Sequence, residues 1–342
     1  MMNENSKKLD QHRPDILRLS LQKMISEDVC DIRKNRDICE RDLKYILQYL
    51  SQAVDLDSPI LFRDFTAWLA DVLINKKIPV SHLRTSYDIL REGIHTVFPG
   101  ESWVDPFFAE AEESFNMVQE SREGDILPSE DTLSGQYIRH VIRADRNNAR
   151  QIVMKALQEG MTISDLYLNV FEPSQRMIGR LWQTSVISVA QEHYATAVTQ
   201  MIMSELYPRI FTSEKNGWKM ASFCIGSELH ELGIRMVADF FEMDGWDTSF
   251  FGANAPIPDM LKTLRDETFD LIAVSTTMMV HLKTLQAFIN DIRVQDPLKT
   301  MKIMVGGYPF LVDGDLWEKV GADGTARNAQ MAVKQATEWF ES

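Results

Sequence analysis

The chain has 342 residues and a mass of 39.3 kDa, about twice the commonest length of a single domain, so one small fold is excluded. Hydrophobic residues make up 44% and charged residues 25% of the sequence, which is ordinary globular composition. No run approaches the roughly 18 apolar residues of a membrane span, and the polar N-terminus lacks the apolar core of a secretory signal. Three cysteines, an odd number, cannot form a disulfide framework. We therefore predict a cytoplasmic protein without a membrane contact.

The charge balance indicates the kind of partner. The sequence contains 36 Lys+Arg and 50 Asp+Glu, a formal net charge of -14. An acidic surface repels a phosphate backbone unless basic residues are locally concentrated, and the sequence contains no such patch. Direct DNA binding is therefore not expected, and we expect partners to be proteins. A homo-oligomer is compatible with the sequence.

The first part of the chain has a helical pattern. Apolar residues recur at spacings of three and four over residues 15–119, which is typical of amphipathic helices. Residues 121–132 are polar and contain a glycine and a proline, which indicates a linker. We predict an all-helical sensor or docking domain over residues 1–125. The repeating positions include Leu43, Ile46, Leu47, Leu50, Phe65, Trp68, Leu69 and Val72.

A second helical block covers residues 133–212 and is predicted to be a separate bundle. Its first helix ends at Gly160, and Pro173 interrupts the next one. Side chains that can cap helix N-termini mark where the helices start. These caps are Asp145, either Thr162 or Ser164, and the capping box from Ser188 to Gln191.

The pattern changes after the polar residues 212–217. Short apolar runs now alternate with amphipathic helices, which predicts a βαβ series over residues 218–342. Such a series forms a mostly parallel, doubly wound sheet with its ligand site at the carboxyl ends of the strands. The predicted strands are residues 220–225, 248–252, 271–275 and 302–306.

The loop after the first predicted strand carries Glu228, His230 and Gly233. A dinucleotide site would need G-x-G-x-x-G here, whereas this loop offers a histidine two residues after a carboxylate. His230 is a candidate metal ligand, with Glu228 orienting one imidazole nitrogen, and Gly233 would let the next helix lie close to the loop. The alternative is an ordinary surface histidine in a βα loop.

Two further loops make the metal ligand the better interpretation. The third strand ends in Ser275-Thr276-Thr277 and the fourth in Gly306-Gly307, so hydroxyls and bare backbone meet the histidine at one edge of the sheet. Together, E-x-H-x-x-G, S-T-T and GG resemble the cobalamin-binding domain of corrinoid methyltransferases, mutases and cobalamin-dependent regulators. The resemblance covers essentially all of residues 218–342.

This resemblance implies a Rossmann-like, flavodoxin-like fold and a role for each motif residue. In that family the nucleotide tail of the corrinoid inserts beside the sheet after the histidine displaces it from cobalt. The implied roles are His230 as the lower axial cobalt ligand, Glu228 as its hydrogen-bond partner, Gly233 in the same motif, Ser275 and Thr277 as contacts near the tail, and Gly306 and Gly307 as clearance for it.

The helical block resembles the four-helix cap of the adenosylcobalamin-dependent light-sensing regulators. The similarity lies in Trp182 followed, after nine residues, by Glu192-His193. It implies an indole face against the adenosyl group and hydrogen bonds to the ribose hydroxyls. One position departs from the family, because Gln183 replaces a histidine that can ligate cobalt after photolysis. The basic DNA-binding head of those regulators is also missing.

The resemblance therefore implies a non-enzymatic sensor that binds adenosylcobalamin and loses the adenosyl group in light. Without a basic head, the signal would pass to a regulatory protein such as a transcription factor or a kinase. The same residues fit a dark cobalamin sensor or a sensor that uses another tetrapyrrole. An alternative from another class is the corrinoid methyl-carrier subunit of a methyltransferase system; a mutase fits less well, because the chain lacks a substrate barrel.

Overall fold

The computed structural model describes residues 3–29, 31–120, 127–295 and 300–340. Half of the predicted linker, residues 121–126, lies outside these ranges. Among the described helices none is both long and apolar enough to cross a membrane. The chain divides into two compact units, and the first combines residues of Met1–Glu123 with two later segments, Met278–Lys283 and Val312–Val320.

Within the described ranges, six helices form most of the first unit, as the apolar spacing predicts. Their apolar faces bury an aromatic core in which Phe62, Tyr87 and Phe108 contact one another. One helix begins at Pro59, because a proline fits the first turn without losing a hydrogen bond. The helices are α1 (Glu4–Gln11), α2 (Arg13–Glu27), α3 (Ile32–Asp55), α4 (Pro59–Asn75), α5 (Val80–Val97) and α6 (Asp105–Glu120).

A lysine from one of the later segments is embedded among these helices. Lys283 Nζ donates three hydrogen bonds, to Ser6 Oγ at 2.7 Å, Asp10 Oδ2 at 2.8 Å and Ser51 Oγ at 2.7 Å. The backbone N–H of Lys283 donates to Gln52 Oε1 at 3.1 Å. All three ammonium protons therefore have partners. Burial by itself would raise the pKa of Asp10, but the hydrogen bonds from Lys283 and Ser51 outweigh it, so the pKa of Asp10 is lowered.

Replacing Lys283 by methionine is expected to lower the free energy of unfolding of the first unit by about 1–3 kcal/mol. The variant keeps most of the aliphatic stem but removes one of the two cations of Asp10, which also pairs with Arg13. Calorimetric unfolding measures the change. Lys44→Met is the matched control, because Lys44 pairs with Glu40 on an exposed helix surface and such pairs contribute little. Equal effects of both substitutions would contradict the prediction.

The first part of the second unit is a four-helix bundle, in agreement with the predicted cap. Asp145, Thr162 and the capping box at Ser188 cap the predicted helices. At Pro173 the predicted interruption takes the form of a π-helical segment, Tyr167–Phe171, because proline cannot donate the bond that a regular α-helix needs. The helices are α7 (Leu133–Ile142), α8 (Arg146–Gln158), α9 (Ile163–Leu166), α10 (Glu172–Gln183) and α11 (Val189–Ile210). Because the π-helical segment joins α9 to α10 without a break, these two count as one helix of the four.

The rest of this unit is a parallel five-stranded sheet with strand order β2-β1-β3-β4-β5. The predicted strands are found within two residues of their predicted ends. The fifth strand was not predicted, since two residues are too short to show a periodic pattern. The strands are β1 (Lys219–Cys224), β2 (Asp247–Phe250), β3 (Leu271–Ser275), β4 (Lys302–Gly306) and β5 (Gly324–Thr325).

Helices connect and follow these strands, although the turn at residues 279–281 and the helix at residues 316–320 belong to the first unit. The predicted helix starts at residues 232, 257, 282 and 329 agree with the structure, whereas two five-residue helices after β4 were not predicted. The helices are α12 (Leu232–Met243), α13 (Ile257–Asp266), α14 (Leu282–Arg293), α15 (Tyr308–Val312), α16 (Leu316–Val320) and α17 (Ala329–Phe340), and a 3₁₀ turn, Met279–His281, precedes α14.

Candidate functional site

Three of the predicted loops meet at the carboxyl edge of the sheet. In the parallel register, Cys224 at the end of β1 lies opposite Ser275 at the end of β3, and Ser275 lies opposite Gly306 at the end of β4. The loop after β1 carries Glu228 and His230. The structure therefore brings the three motifs of the sequence together, at the position where doubly wound sheets bind ligands.

Glu228 is the centre of the loop after β1. Its side chain is 1% exposed and accepts hydrogen bonds from the backbone N–H groups of Leu229 at 3.0 Å, His230 at 3.1 Å and Thr277 at 2.8 Å. It also accepts a bond from His230 Nδ1. A buried carboxylate is stable only with such partners, so Glu228 ties the loops after β1 and β3 together.

The hydrogen bond from Glu228 orients His230. Because Nδ1 donates to the carboxylate, the ring presents Nε2 as its second nitrogen, and the His230 side chain is 59% exposed. The Glu228 hydrogen bond, opposed by burial, raises the pKa of His230, and the charges of Glu228 and Glu192 raise it further. A histidine fixed at one nitrogen by a carboxylate and open at the other has the arrangement of a metal ligand.

The glycine pair after β4 provides close backbone contact at one position and open space at the other. Gly307 has φ +110°, and a Cβ there would lie 2.1 Å from the Thr276 carbonyl oxygen, so only glycine fits. A Cβ at Gly306 would meet no atom within 4 Å. The same is true of Gly233, so the close helix packing predicted for that glycine is not found, and space remains beside the first turn of α12.

Several buried polar atoms around this edge have no hydrogen-bond partner among the described residues. They are Thr276 Oγ1, beside the predicted contacts Ser275 and Thr277, and Thr325 Oγ1 and Gln335 Oε1 near the short strand β5. Buried polar atoms without partners are costly, and a bound ligand is one way to satisfy them. Sequence reasoning missed all three; Thr276 lies inside the S-T-T motif, but Thr325 and Gln335 have no sequence signal.

In the four-helix bundle, the predicted cap residues lie on α10 and α11. Trp182 is 43% exposed. His193 is 76% exposed, and its Nδ1 lies 2.6 Å from Glu192 Oε2. The charge of Glu192 acts on His230, so this end of the bundle lies on the His230 side. The exposed indole and the exposed imidazole of the bundle are side chains that a large flat ligand could cover.

Two helices, α11 and α12, meet along a row of polar contacts. Arg235 Nε donates to Tyr207 Oη at 3.1 Å and an Arg235 terminal nitrogen donates to Ser204 Oγ at 2.8 Å. Asp239, 4% exposed, accepts from Tyr167 Oη at 2.7 Å. Burial raises the pKa of Asp239 to about 6, against the lowering effect of Tyr167 and Arg235.

Asp239→Asn is expected to remove a pH dependence of stability. The folded-state pKa of about 6 exceeds the ordinary value of 3.8, so the folded state binds more protons between these values and the free energy of unfolding falls as pH rises from 4 to 6. The fall is about 1–3 kcal/mol. Denaturant unfolding at pH 4.5 and 7.5 measures it.

The control for this prediction is Tyr167→Phe. Loss of the hydroxyl that lowers the pKa of Asp239 should extend the pH-dependent range to higher pH. Identical pH profiles of wild type and Asp239→Asn would show that Asp239 is not the group responsible.

Comparison with known proteins indicates the class of ligand that the two parts of the second unit bind. A family model described as a B12 binding domain matches residues 218–334, and a second model with the same description matches residues 133–207. The protein is a cobalamin-binding protein. The first match contains the sheet with its three motifs, and the second contains the four-helix bundle with Trp182 and Glu192-His193.

Several relatives of this cobalamin-binding protein are corrinoid proteins. Monomethylamine corrinoid protein 1 of Methanosarcina barkeri is 25% identical over 197 residues, which are 55% of this chain and 88% of the relative. Dimethylamine corrinoid protein 3 of Methanosarcina acetivorans is 27% identical over 127 residues, which are 37% of this chain and only 58% of that relative.

The solved structure of the M. barkeri monomethylamine corrinoid protein has the same fold. It matches with a TM-score of 0.55 and 18% identity and covers 62% of this chain and 100% of its own. The predicted fold class is therefore confirmed. The predicted transcription-factor or kinase partner is wrong, because these relatives are corrinoid proteins named for methylamines.

Proposed function

We propose that this cobalamin-binding protein is a methyl carrier that exchanges methyl groups with separate methyltransferases and is not itself an enzyme. The relatives named for methylamines favour this alternative over the photoreceptor. The observation that carries the proposal is His230, which is fixed by Glu228 and open at its second nitrogen, on the same sheet edge as the open space at Gly306. Cobalamin supplies a cobalt that accepts and releases a methyl group.

In this proposal each site residue has a passive but specific task. His230 would ligate cobalt through Nε2, while Glu228 holds the proton at Nδ1 and so keeps Nε2 available as a ligand. Gly306 would leave room for the nucleotide tail, while Gly307 lets the backbone lie close to Thr276. The partnerless hydroxyls of Thr276 and Thr325 would provide hydrogen bonds beside the tail, with Ser275 and Thr277 on the neighbouring backbone.

The adenosyl form belongs to the light-sensing alternative, which depends on Trp182 and the Glu192–His193 pair. A ligand with an adenosyl group would use the exposed indole face and the two polar side chains, whereas a methyl group is too small to reach them. Gln183 offers no imidazole for cobalt after photolysis, because an amide is a poorer cobalt ligand. The light-sensing alternative therefore predicts that the protein binds adenosylcobalamin more tightly than methylcobalamin, whereas a carrier does not require this preference.

Competition between the two cobalamins distinguishes these functions. A carrier should bind methylcobalamin at least as tightly as adenosylcobalamin, and Trp182→Ala should change the ratio of the two dissociation constants less than about threefold. Titrations in the dark, followed by absorbance, measure the ratio. A strong adenosyl preference that Trp182→Ala abolishes would favour the light sensor.

Methyl transfer itself is tested with labelled donors. The protein loaded with reduced cobalamin is incubated in the dark with an extract of cells that produce it and with ¹⁴C-labelled methylamines or methanol. We expect the label on the bound cobalamin of the wild type, and none when the extract is heated to inactivate methyltransferases. No label from any donor, together with an adenosyl preference, would overturn the carrier proposal.

A further inference from the structure

Glu231, next to the candidate cobalt ligand, connects three segments of the second unit. Its Oε1 accepts a hydrogen bond from Gln200 Nε2 of α11 at 2.8 Å, and its Oε2 accepts one from the backbone N–H of Ala253, in the loop after β2, at 2.8 Å. Its backbone N–H donates to the carbonyl oxygen of Leu229 at 2.9 Å. One side chain therefore joins the cap, the His230 loop and the loop after β2.

In the loop after β2, a glycine leaves the space that the Glu231 carboxylate occupies. Gly252 has φ +77°, and a Cβ there would lie 3.2 Å from Glu231 Oε2, so a side chain would press on the carboxylate. The N–H of Asn254 donates to the Glu228 carbonyl oxygen at 2.9 Å. The His230 loop and this loop are thus held together at two points, and the Glu231 carboxylate provides one of them.

Glu231 is also the first member of a helical row. Glu231 and Arg235 lie four residues apart at the start of α12, and Gln200, Ser204 and Tyr207 line the facing side of α11. Met236 and Phe240 of α12 pack into the apolar core of the bundle, so the polar contacts near Glu231 are the part of this junction that can be exchanged for bonds to water at small cost. Among these contacts, the Glu231–Gln200 bond lies one residue from His230.

We propose that Glu231 is a positioning residue that couples the cap to the loop carrying His230. The proposal rests on the carrier function, since a carrier must uncover the methyl group to its partner enzymes. When the cap moves away, the bond from Gln200 breaks and the carboxylate loses one of its two fixed partners. Because the backbone of Glu231 is one peptide from His230, the change reaches the metal ligand directly.

Substitutions at Gln200 test this coupling from the cap side, without altering the His230 loop. In protein loaded with hydroxocobalamin, the rate at which cyanide replaces water on cobalt reports how often the cap opens. Loss of one hydrogen bond to a carboxylate in Gln200→Ala should raise the rate about three- to tenfold. Gln200→Glu places two carboxylates together and should raise it more, about tenfold or above.

The decisive variant is the double substitution that exchanges the two side chains, Gln200→Glu with Glu231→Gln, called the exchanged pair. When Gln200→Glu is combined with Glu231→Gln, the new amide on the His230 loop can donate to the new carboxylate on α11 and still accept from Ala253. The rate should therefore return to within about twofold of wild type. Ser204→Ala is the matched control, because it removes a bond of the same helix pair to Arg235 without touching the His230 loop, and it should leave the rate within about twofold.

A second measurement reports on the metal ligand. In the cobalt(II) state, nitrogen coupling from ¹⁵N-labelled histidine should weaken in Gln200→Glu and recover in the exchanged pair, which a purely structural role would not produce. Unchanged rates in both Gln200 variants, or no recovery in the exchanged pair, would overturn the coupling. Neither assay involves methyl transfer, so absence of labelling by methyl donors would overturn the carrier function alone.

Discussion

Replacing His230 by alanine is expected to leave the protein folded and to weaken cobalamin binding about 10- to 100-fold. The fold should survive because the His230 ring is 59% exposed and adds little to the core. Binding should weaken because the side chain that would ligate cobalt is lost, while the space at Gly306 and the partnerless hydroxyls remain. Equilibrium titration with hydroxocobalamin measures the affinity.

The spectrum of the cobalt(II) state separates ligation from simple loss of affinity. Protein labelled with ¹⁵N-histidine should show coupling between cobalt and a protein nitrogen, and His230→Ala should abolish it. His193→Ala is the matched control, since His193 is an even more exposed histidine on the cap, and it should keep the coupling. Coupling that persists in His230→Ala would assign the ligand to another histidine.

Gly307→Ala is expected to lower the stability of the fold, whereas Gly306→Ala is expected to weaken only cobalamin binding, although the two residues are neighbours. At Gly307 the new Cβ would lie 2.1 Å from the Thr276 carbonyl oxygen with φ at +110°, so we expect a loss of about 2–5 kcal/mol in the free energy of unfolding. At Gly306 the Cβ would meet no atom within 4 Å, so stability without cobalamin should be unchanged.

The effect of Gly306→Ala should instead be a loss of affinity for cobalamin. If the open space beside this glycine is where the nucleotide tail lies, a methyl group there should reduce the affinity about tenfold or more. Thermal unfolding with and without hydroxocobalamin compares both variants in one experiment. A Gly306→Ala protein that gains as much stability from cobalamin as the wild type would place the tail elsewhere.

Patterns of residues close in sequence were sufficient to predict many of the helices and strands of this protein. The strands β3 and β4 begin and end where their apolar runs do, and helix caps such as Asp145 and Ser188 mark true helix starts, because caps and periodicity act between residues close in sequence. Glu228 and His230 are two residues apart, so their contact follows from one loop. Their meeting with the S-T-T and GG motifs followed from the topology of a parallel sheet.

The features that were not predicted from the sequence depend on contacts between residues far apart in the chain. Strand β5 has two residues and exists only because β4 pairs with it, and the grouping of Lys283 with Asp10 joins residues 273 apart. The bonds of Glu231 reach 31 residues back to Gln200 and 22 forward to Ala253, so no local pattern could indicate them. The Trp182 motif also predicted a partner class that the relatives contradict.

The sequence by itself therefore determined most of the helices, the main strands, the sheet edge at which the three motifs meet, and the motifs that identify a cobalamin domain. These depend on short-range geometry and on the fixed topology of parallel sheets. The tertiary structure alone decided which glycine is required by the fold and which leaves space, which buried hydroxyls lack partners, and how Glu231 joins cap and loop. Those properties depend on atoms that distant segments bring within a few ångströms, and their positions are set only when the whole chain has packed.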